Sequence, residues 1–169
     1  FSLQAVTAAD SGSNSTDSNV LSVDNNVSAY ALPNTDSALQ GGSNAGTFEQ
    51  LKDALNGATS GDVELNRNYT YVDGDSGKVP VSGIVVPNTV NKIVGNNIII
   101  DASHKVRIFN IVADHAIEIT GITFINGNAT DGNGGSICSS GKLTISNCNF
   151  FNNTASGHGG AVYLGSSDG

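Results

Sequence analysis

Apolar residues recur in the C-terminal half of the chain at an interval of 26 residues. Two sets of positions follow this interval: Ile93, Ile119 and Ile145, and Ile98, Phe124 and Phe150. Between them lie short apolar stretches separated by Gly and Asn, a pattern typical of strands joined by tight corners. A unit of this size buries its inner face only by stacking on its neighbours, so the repeat predicts an all-β, right-handed parallel β-helix.

A second repeat supports this prediction. Residues 134–137 (GGSI) align with residues 159–162 (GGAV) when one residue is deleted, and this places Ile111 at the position of Ile137. Three coils are then in register. The alternative fold, a β-sandwich with Gly-rich loops, does not require apolar residues to keep a fixed phase through successive repeats.

One corner of each predicted coil carries Gly and Asn residues. Gly127 lies opposite Asn153 in the repeat, which predicts a bend with positive φ at these two positions. Asn126 lies opposite Asn152, which predicts a ladder of side-chain amides between coils. With this register we expect ten side chains to point inward: Ile93, Ile98, Ile111, Ile119, Ile122, Phe124, Ile137, Ile145, Phe150 and Val162.

A short helix is predicted ahead of the strands. Thr47 and Gln50 have the spacing of a capping box, and Gly57 supplies a stop, so the helix spans residues 47–56. Its predicted apolar face consists of Phe48, Leu51, Ala54 and Leu55. Because so short a helix is marginal alone, we expect this face to cap the open end of the first coil.

The N-terminal quarter of the chain differs in composition from the rest. Residues 1–9 (FSLQAVTAA) are typical of the end of a signal peptide, which predicts export. Residues 10–46 are rich in Ser, Asn, Asp and Gly and are predicted to form a flexible polar leader. We expect residues 47–169 to hold the cap helix and the first coils of a longer β-helix.

Four motifs resemble those of a known group of surface proteins. Residues 150–153 (FFNN) and 159–162 (GGAV) match FxxN and GGA(I/L/V) repeats, and residues 124–127 and 134–137 match more loosely. These repeats resemble the adhesin-like surface proteins of methanogenic archaea and the bacterial polymorphic outer-membrane proteins. Residues 107–111 and the predicted helix also resemble the archaeal group. The resemblance covers residues 47–169 and implies a non-catalytic, secreted cell-surface adhesin on a pectin-lyase-like solenoid, whose partners are glycans or proteins of other cells.

Composition narrows the classes of partner. Gly, Asn, Ser and Thr account for 74 of the 169 residues, and the net charge is -8. Seven basic residues against fifteen acidic ones argue against nucleic-acid binding and against attachment to an anionic membrane. No apolar run is long enough for membrane insertion by this segment. Five N-x-S/T sequons are consistent with a glycosylated surface: Asn14, Asn26, Asn68, Asn128 and Asn152.

Catalysis is the alternative, because polysaccharide lyases and glycoside hydrolases also use β-helices. The best candidate residues are Asp101, His104, Lys105 and Arg107, followed by Asp114 and His115. Carboxylates of this kind could supply acid–base catalysis or hold calcium against a uronate. Their spacing instead favours a turn after the apolar run 98–100, in which Asp and Ser serve the backbone.

Neither a metal nor a cofactor is predicted. The acidic turns at residues 73–77 (DGDSG) and 131–134 (DGNG) lack the length and terminal Glu of an EF-hand and do not repeat as calcium-binding nonapeptides do. We therefore expect them to be corner turns. His158 has no supporting cysteine spacing for zinc and is expected to be an exposed turn residue.

The two cysteines are predicted to be free thiols. Cys148 replaces Ile122 in the repeat and should point inward, whereas Cys138 follows the inward Ile137 and should point outward. Free thiols in an exported protein suit a reducing habitat.

Recognition is expected on the solvent-facing side of the coils, because an interior packed with Ile, Val, Leu and Phe leaves no cavity. Tyr163, between the inward Val162 and Leu164, is the best candidate for stacking on a sugar ring. The structural alternative is that its ring only covers the neighbouring coil.

Overall fold

The chain folds as a parallel β-solenoid of about four turns with one short helix before its first coil. The computed structural model describes residues 22–23, 44–59, 61–112 and 115–165. Every strand pairing among them is parallel. The predicted parallel β-helix is confirmed. The expected signal-peptide remnant at residues 1–9 lies outside the described residues.

Thirteen strands and one α-helix are described. In chain order they are β1 (Ser22–Val23), α1 (Phe48–Asn56), β2 (Asp62–Glu64), β3 (Tyr69–Thr70), β4 (Ile84–Val85), β5 (Lys92–Asp101), β6 (Phe109–Ile111), β7 (Ala116–Ile125), β8 (Asn128–Ala129), β9 (Ile137–Ser139), β10 (Lys142–Ser146), β11 (Asn149–Phe151), β12 (Thr154–Ala155) and β13 (Val162–Leu164). A single 3₁₀ turn, Asp73–Asp75, follows β3.

Three parallel sheets form the walls of the solenoid. The first sheet has the order β1-β10-β7-β5-β2, with β11 beside β7 and β3 beside β5. The second sheet has the order β13-β9-β6-β4, and β12 pairs with β8 in the third. Strand β1 belongs to the segment predicted to be a flexible leader and pairs with β10 at the edge of the first sheet.

The 26-residue interval is correct at the start of each coil. Ile93 pairs with Ile119, which pairs with Ile145. The second set was predicted wrongly: Ile98 pairs with Ile122, and Phe124 pairs with Ile100 on one side and Phe150 on the other. All these residues nevertheless keep the inward phase, because a shift of two residues preserves the face of a strand.

The bend in β5 causes this shift. Asn96 and Asn97 both have positive φ, of 49° and 67°, whereas Gly121 alone makes the corresponding bend in β7 with φ 70°. Strand β5 therefore uses two more residues between its paired segments than β7 does. Asn147 makes the bend of the next coil with φ 50°, one 26-residue interval after Gly121.

The pairing in the second sheet also differs in part from the predicted one. Ile137 pairs with Val162, as the aligned motifs predict, but its partner on the other side is Phe109. Ile111 pairs with Ser139, two residues further along the strand. Its side chain is buried, so the predicted face is right and the predicted position is wrong.

The corner after β7 and β11 bends one residue earlier than predicted. Positive φ occurs at Asn126 (55°) and Asn152 (54°), not at Gly127 and Asn153. Gly127 is required for space, because a Cβ there would collide with the carbonyl of Gly135 and lie 2.9 Å from Oδ1 of Asn153. That same oxygen accepts a hydrogen bond from the Gly127 amide at 2.7 Å.

The interior is a continuous column of apolar side chains. Nine of the ten predicted inward residues are buried, and Phe150, on the last described coil, is half-buried. Phe124 and Phe150 stack with ring centroids 5.0 Å apart and planes 10° apart, and Phe109 meets Phe124 edge-on. Phe124 and Phe150 thus occupy one position in successive coils of the first sheet, whereas Phe109 contacts Phe124 from the second sheet.

Helix α1 is built as its capping box predicts. Thr47 Oγ1 accepts a hydrogen bond from the Gln50 amide, and Gln50 Oε1 accepts one from the Thr47 amide. Phe48, Leu51 and Leu55 are fully buried in the core, which confirms the apolar face at three of its four positions. Ala54, the fourth predicted position, is exposed.

We expect Ser136→Ala to raise the free energy of unfolding by about 1 kcal/mol, because burying a hydroxyl without a hydrogen-bond partner destabilises the folded state. Ser136 is fully buried, and its Oγ has no hydrogen-bond partner among the described residues. Ser139→Ala is the matched control: its Oγ donates to Gly141 O at 3.1 Å, so we expect a loss of about 1 kcal/mol. Urea unfolding measures both, and equal losses would contradict the prediction.

Candidate functional site

A polar ladder crosses three coils at the corner that follows β5, β7 and β11. Asp101 Oδ1 accepts hydrogen bonds from the Ser103 amide at 2.8 Å and from Asn126 Nδ2 at 2.9 Å. Asn126 Oδ1 accepts in turn from Asn152 Nδ2 at 2.8 Å. The predicted amide ladder is confirmed, and Asp101, a candidate catalytic residue, lies at its end with one carboxylate oxygen committed to it.

His104 and Lys105 lie on the exposed side of this corner. His104 has φ 56°, and its Nε2 lies 3.1 Å from Asn152 Nδ2. Its carbonyl accepts from Asn128 Nδ2 at 2.9 Å. Lys105 is exposed. Asp101 and His104 are thus brought to the same ladder, through Asn126 and Asn152, without a direct hydrogen bond between them.

Arg107, the fourth candidate, turns away into the interior. It is only 7% exposed and donates to three backbone carbonyls: Nη1 to Ser82 at 2.7 Å, Nη2 to Asn133 at 2.8 Å and Nε to Gly134 at 2.9 Å. These carbonyls belong to the coils on either side of its own. Its guanidinium therefore joins neighbouring coils, and no hydrogen bond or ion pair of the described residues links it to Asp101.

His115 also contacts the backbone. His115 is buried, with Nε2 2.6 Å from the carbonyl of Val90, and Asp114 lies outside the described residues. Within the part of the chain that the structure describes, no group of three His, Cys, Asp or Glu side chains is placed to hold a metal ion.

The acidic turn at residues 73–77 has a structural role. Asp75 is buried and accepts hydrogen bonds from the amides of Phe48 (3.1 Å), Glu49 (2.9 Å) and Val72 (3.0 Å). The carboxylate thereby caps the N-terminus of α1, where the helix dipole favours negative charge. The sequence indicated a turn here but gave no sign of the segment that it caps.

The turn at residues 131–134 joins two coils. The Gly132 amide donates to Ser156 Oγ at 3.1 Å, and the His158 amide donates to Asn133 Oδ1 at 2.7 Å. The predicted corner turn is confirmed, and His158 is exposed as expected.

The outer face of the first sheet carries charged side chains, two of which form an ion pair with each other. Asp62, Lys92 and Glu118 are neighbours in register, and Lys92 Nζ lies 2.8 Å from Glu118 Oε1. The hydrogen bond to Glu118 raises the pKa of Lys92. Both side chains are well exposed, so the pair adds little to stability.

The outer face of the second sheet is uncharged at its central positions. Val85, Asn110, Cys138 and Tyr163 form one column in register across β4, β6, β9 and β13. We call this column the valine–tyrosine face. Val85 is 48% exposed, and the other three side chains are half-buried. Partial exposure leaves this column open to contact from solvent.

Tyr163 is held partly by its own coil. Its ring stacks on His158 with centroids 6.4 Å apart and planes 23° apart. A Cβ placed on Gly165 would lie 2.7 Å from the Tyr163 hydroxyl, so the ring extends over that glycine. The structural alternative is partly correct. The ring does cover backbone, but this backbone belongs to its own coil and not to the neighbouring one.

Both cysteines are free. Cys148 packs against the core, and its Sγ lies 3.7 Å from the carbonyl of Ile119. Cys138 lies between the buried Ile137 and Ser139 on the outer face of β9, as predicted. Burial raises the pKa of Cys148 to about 11 and also raises the pKa of Cys138.

We expect iodoacetamide at pH 8 to modify Cys148 at least about tenfold more slowly in the folded chain than in urea, because the thiolate is the reactive form. Since folding raises the pKa of Cys148 from 9.0 to about 11, its contribution to stability is complete below pH 9 and is lost as the pH rises towards 11. Site-resolved mass spectrometry measures the modification. Equal rates in folded and unfolded chains would contradict the prediction.

Three of the five sequons lie in the described residues, and all three asparagines make hydrogen bonds. Asn68 Oδ1 accepts from the Ile99 amide at 2.9 Å. Asn128 Nδ2 donates to the carbonyl of His104, and Asn152 belongs to the ladder. Asn152 is exposed, whereas Asn68 and Asn128 are half-buried. Asn14 and Asn26 lie outside the described residues.

In the part of the chain that the structure describes, no helix has the length and apolar character needed to span a bilayer. Comparison with protein-family models, with curated proteins and with solved structures found no match to this chain.

Proposed function

We propose that this chain is a non-catalytic, adhesin-like β-helix that is exported to the cell surface and contacts glycans or proteins of other cells. The observation that carries the proposal is the valine–tyrosine face. It presents an uncharged side chain at the same position of four successive coils, so an extended partner can make one weak contact with each coil. Affinity then comes from the number of contacts.

The contrast between the two outer faces favours this location. On the first sheet, Lys92 and Glu118 neutralise each other in the plane of the face. On the second sheet, Tyr163 offers an aromatic ring, and Asn110 offers an amide that can donate and accept hydrogen bonds. A sugar ring has apolar C–H faces and a polar rim, which such a combination can match.

The contacts of the catalytic candidates support a structural role for them. Asp101 accepts hydrogen bonds within the amide ladder, and Arg107 donates hydrogen bonds to three backbone carbonyls. General acid–base catalysis requires groups placed within reach of a substrate. A lyase or hydrolase would have to work with Asp101, His104 and Lys105 at an exposed corner, without Arg107.

We expect Tyr163→Ala to weaken binding to glycan-coated or cell surfaces about tenfold, which corresponds to one lost stacking contact of about 1.4 kcal/mol. The assay displays the chain in many copies on beads and presents a panel of plant and microbial polysaccharides. Thr120→Ala, on the outer face of the first sheet, is the matched control and should bind as the unmodified chain does.

Thermal unfolding of both variants shows whether a loss of binding merely follows a loss of stability. Unchanged binding by Tyr163→Ala would remove this residue from the proposal. The same polysaccharides are also assayed for chain cleavage. Cleavage that disappears in Asp101→Ala would overturn the non-catalytic assignment in favour of a polysaccharide lyase or glycoside hydrolase.

A further inference from the structure

The chain contains three Asn–Gly pairs: Asn56–Gly57, Asn126–Gly127 and Asn133–Gly134. At such a pair the backbone nitrogen of the glycine can attack the side-chain amide carbon of the asparagine. A glycine favours this attack, because without a Cβ it leaves its nitrogen unshielded and its backbone free to turn. The sequence therefore makes the three pairs chemically equivalent, and only their surroundings in the fold distinguish them.

Both partners of the pair at Asn126 are held by other coils. Asn126 Nδ2 donates to Asp101 Oδ1 at 2.9 Å, and Asn126 Oδ1 accepts from Asn152 Nδ2 at 2.8 Å. Gly127 is buried, and its amide donates to Asn153 Oδ1 at 2.7 Å. Attack by the Gly127 nitrogen thus requires hydrogen bonds on both sides of this coil to break.

The pair at Asn133 is held by the turn of the next coil. Asn133 Oδ1 accepts a hydrogen bond from the His158 amide at 2.7 Å. Gly134 is buried, and its amide donates to the His158 carbonyl at 2.9 Å. The attacking nitrogen and the group that it would attack are therefore both fixed by one neighbouring residue.

The pair at Asn56 is far less constrained. Asn56 is the last residue of α1, and both Asn56 and Gly57 are exposed. No hydrogen bond joins the Asn56 side chain to another of the described residues. The Gly57 amide donates to the Asp53 carbonyl at 2.8 Å, within the last turn of the helix. Because helix ends fray, opening this one turn is enough to free the nitrogen.

We propose that Asn56 is a site of spontaneous deamidation and that the contacts between coils protect Asn126 and Asn133 from the same reaction. The Gly57 nitrogen forms a bond to Cγ of Asn56, its proton passes to the departing amide group, and ammonia leaves. Water then adds to one carbonyl of the resulting cyclic imide and opens it to aspartate or isoaspartate. This proposal does not depend on the proposed function.

The product changes the charge at the end of the cap helix. A carboxylate at position 56 lies at the C-terminus of α1, where the helix dipole disfavours negative charge. The last turn already holds Asp53 and contains no basic residue. Since α1 buries Phe48, Leu51 and Leu55 in the core, we expect deamidation to weaken the cap of the first coil.

Peptide mapping by mass spectrometry tests the site. The purified full-length chain is incubated in mildly alkaline buffer, once folded and once in guanidinium chloride, and the three pairs are followed over time. In the folded chain we expect Asn56 to deamidate at least about tenfold faster than Asn126 or Asn133, because only its nitrogen is freed by a local opening. In the unfolded chain the three rates should be similar.

Equal rates at the three pairs of the folded chain would overturn the proposal, and so would a faster reaction at Asn126 or Asn133. Gly57→Ala tests the route, because its Cβ shields the attacking nitrogen. It should slow the reaction at Asn56 several-fold, and an unchanged rate would contradict attack by the residue 57 nitrogen.

A second variant tests the protection. Asn153→Ala removes the acceptor of the Gly127 amide, so it should speed deamidation at Asn126 and leave the rate at Asn133 unchanged. Circular dichroism verifies that this variant is folded. An unchanged rate at Asn126 would show that this contact between coils does not protect it.

The effect on the cap helix is measured with Asn56→Asp, which reproduces the charge of the product. We expect its thermal midpoint to fall by about 2 °C because of the unfavourable helix dipole. Asn88→Asp, in an exposed turn outside any helix, adds the same charge and is the matched control. Equal midpoints for the two variants would overturn the weakening of the cap.

Discussion

Replacing Arg107 by alanine is expected to lower the free energy of unfolding by about 4 kcal/mol. The buried guanidinium donates to the carbonyls of Ser82, Asn133 and Gly134, and its removal leaves them without a charged donor. The side chain also fills space between coils, so packing is lost together with hydrogen bonds. Equilibrium unfolding in urea measures the change.

Variants at this position distinguish a structural role of Arg107 from a catalytic one. Lys105→Ala, two residues earlier and exposed, is the matched control and should change stability by less than about 0.5 kcal/mol. Arg107→Lys should recover only part of the loss, because one ammonium group cannot reproduce the planar fork of donors. If Arg107→Ala unfolds within 1 kcal/mol of the unmodified chain and instead abolishes cleavage of a polysaccharide, the structural assignment is wrong.

Asp75→Ala is expected to destabilise the chain by about 3 kcal/mol. The carboxylate accepts hydrogen bonds from three amides, two of them at the start of α1, and it is buried where water cannot take its place. Asp75→Asn should lose less, because the carboxamide keeps one acceptor oxygen. Thermal and urea unfolding measure both variants.

Asp73 provides the control for this prediction. It lies in the same 3₁₀ turn but is exposed, so Asp73→Ala should leave the unfolding free energy almost unchanged. Because α1 covers the first coil, the loss in Asp75→Ala should be accompanied by faster hydrogen exchange at the amides of Phe48 and Leu51. An intact helix with unchanged exchange would show that Asp75 is not its cap.

The sequence showed which candidate residues are present but not how they lie relative to one another. The sequence grouped Asp101, His104, Lys105 and Arg107 because they are close along the chain. The structure keeps Asp101 and His104 on one ladder and turns Arg107 into the interior, toward the coils on either side. The sequence feature that could have indicated a buried Arg107 is its position directly before the apolar residues Ile108 and Phe109. The glycan contact assigned to Tyr163 stays a prediction.

The sequence by itself determined the fold class, the inward faces of the strands and the start of α1. Each of these depends on spacing over a few residues or on a repeat that recurs at a fixed interval. Ile93, Ile119 and Ile145 could be aligned because the strand that holds them has the same phase in every coil. Likewise, Thr47 and Gln50 cap the helix through contacts three residues apart.

Only the tertiary structure decided which residues meet where successive corners differ in length, and which backbone groups the polar side chains contact. Stacking brings together groups about one repeat apart, such as Asp75 with the amide of Phe48 and Arg107 with the carbonyl of Asn133. The exact offset depends on how many residues each corner uses, and two left-handed residues at Asn96 and Asn97 shift it by two positions. A shift of two preserves the buried face of a strand while changing its partners across the coils. The sequence therefore predicts every inward face, but only those contacts between coils whose corners have equal length, such as Asn126 with Asn152.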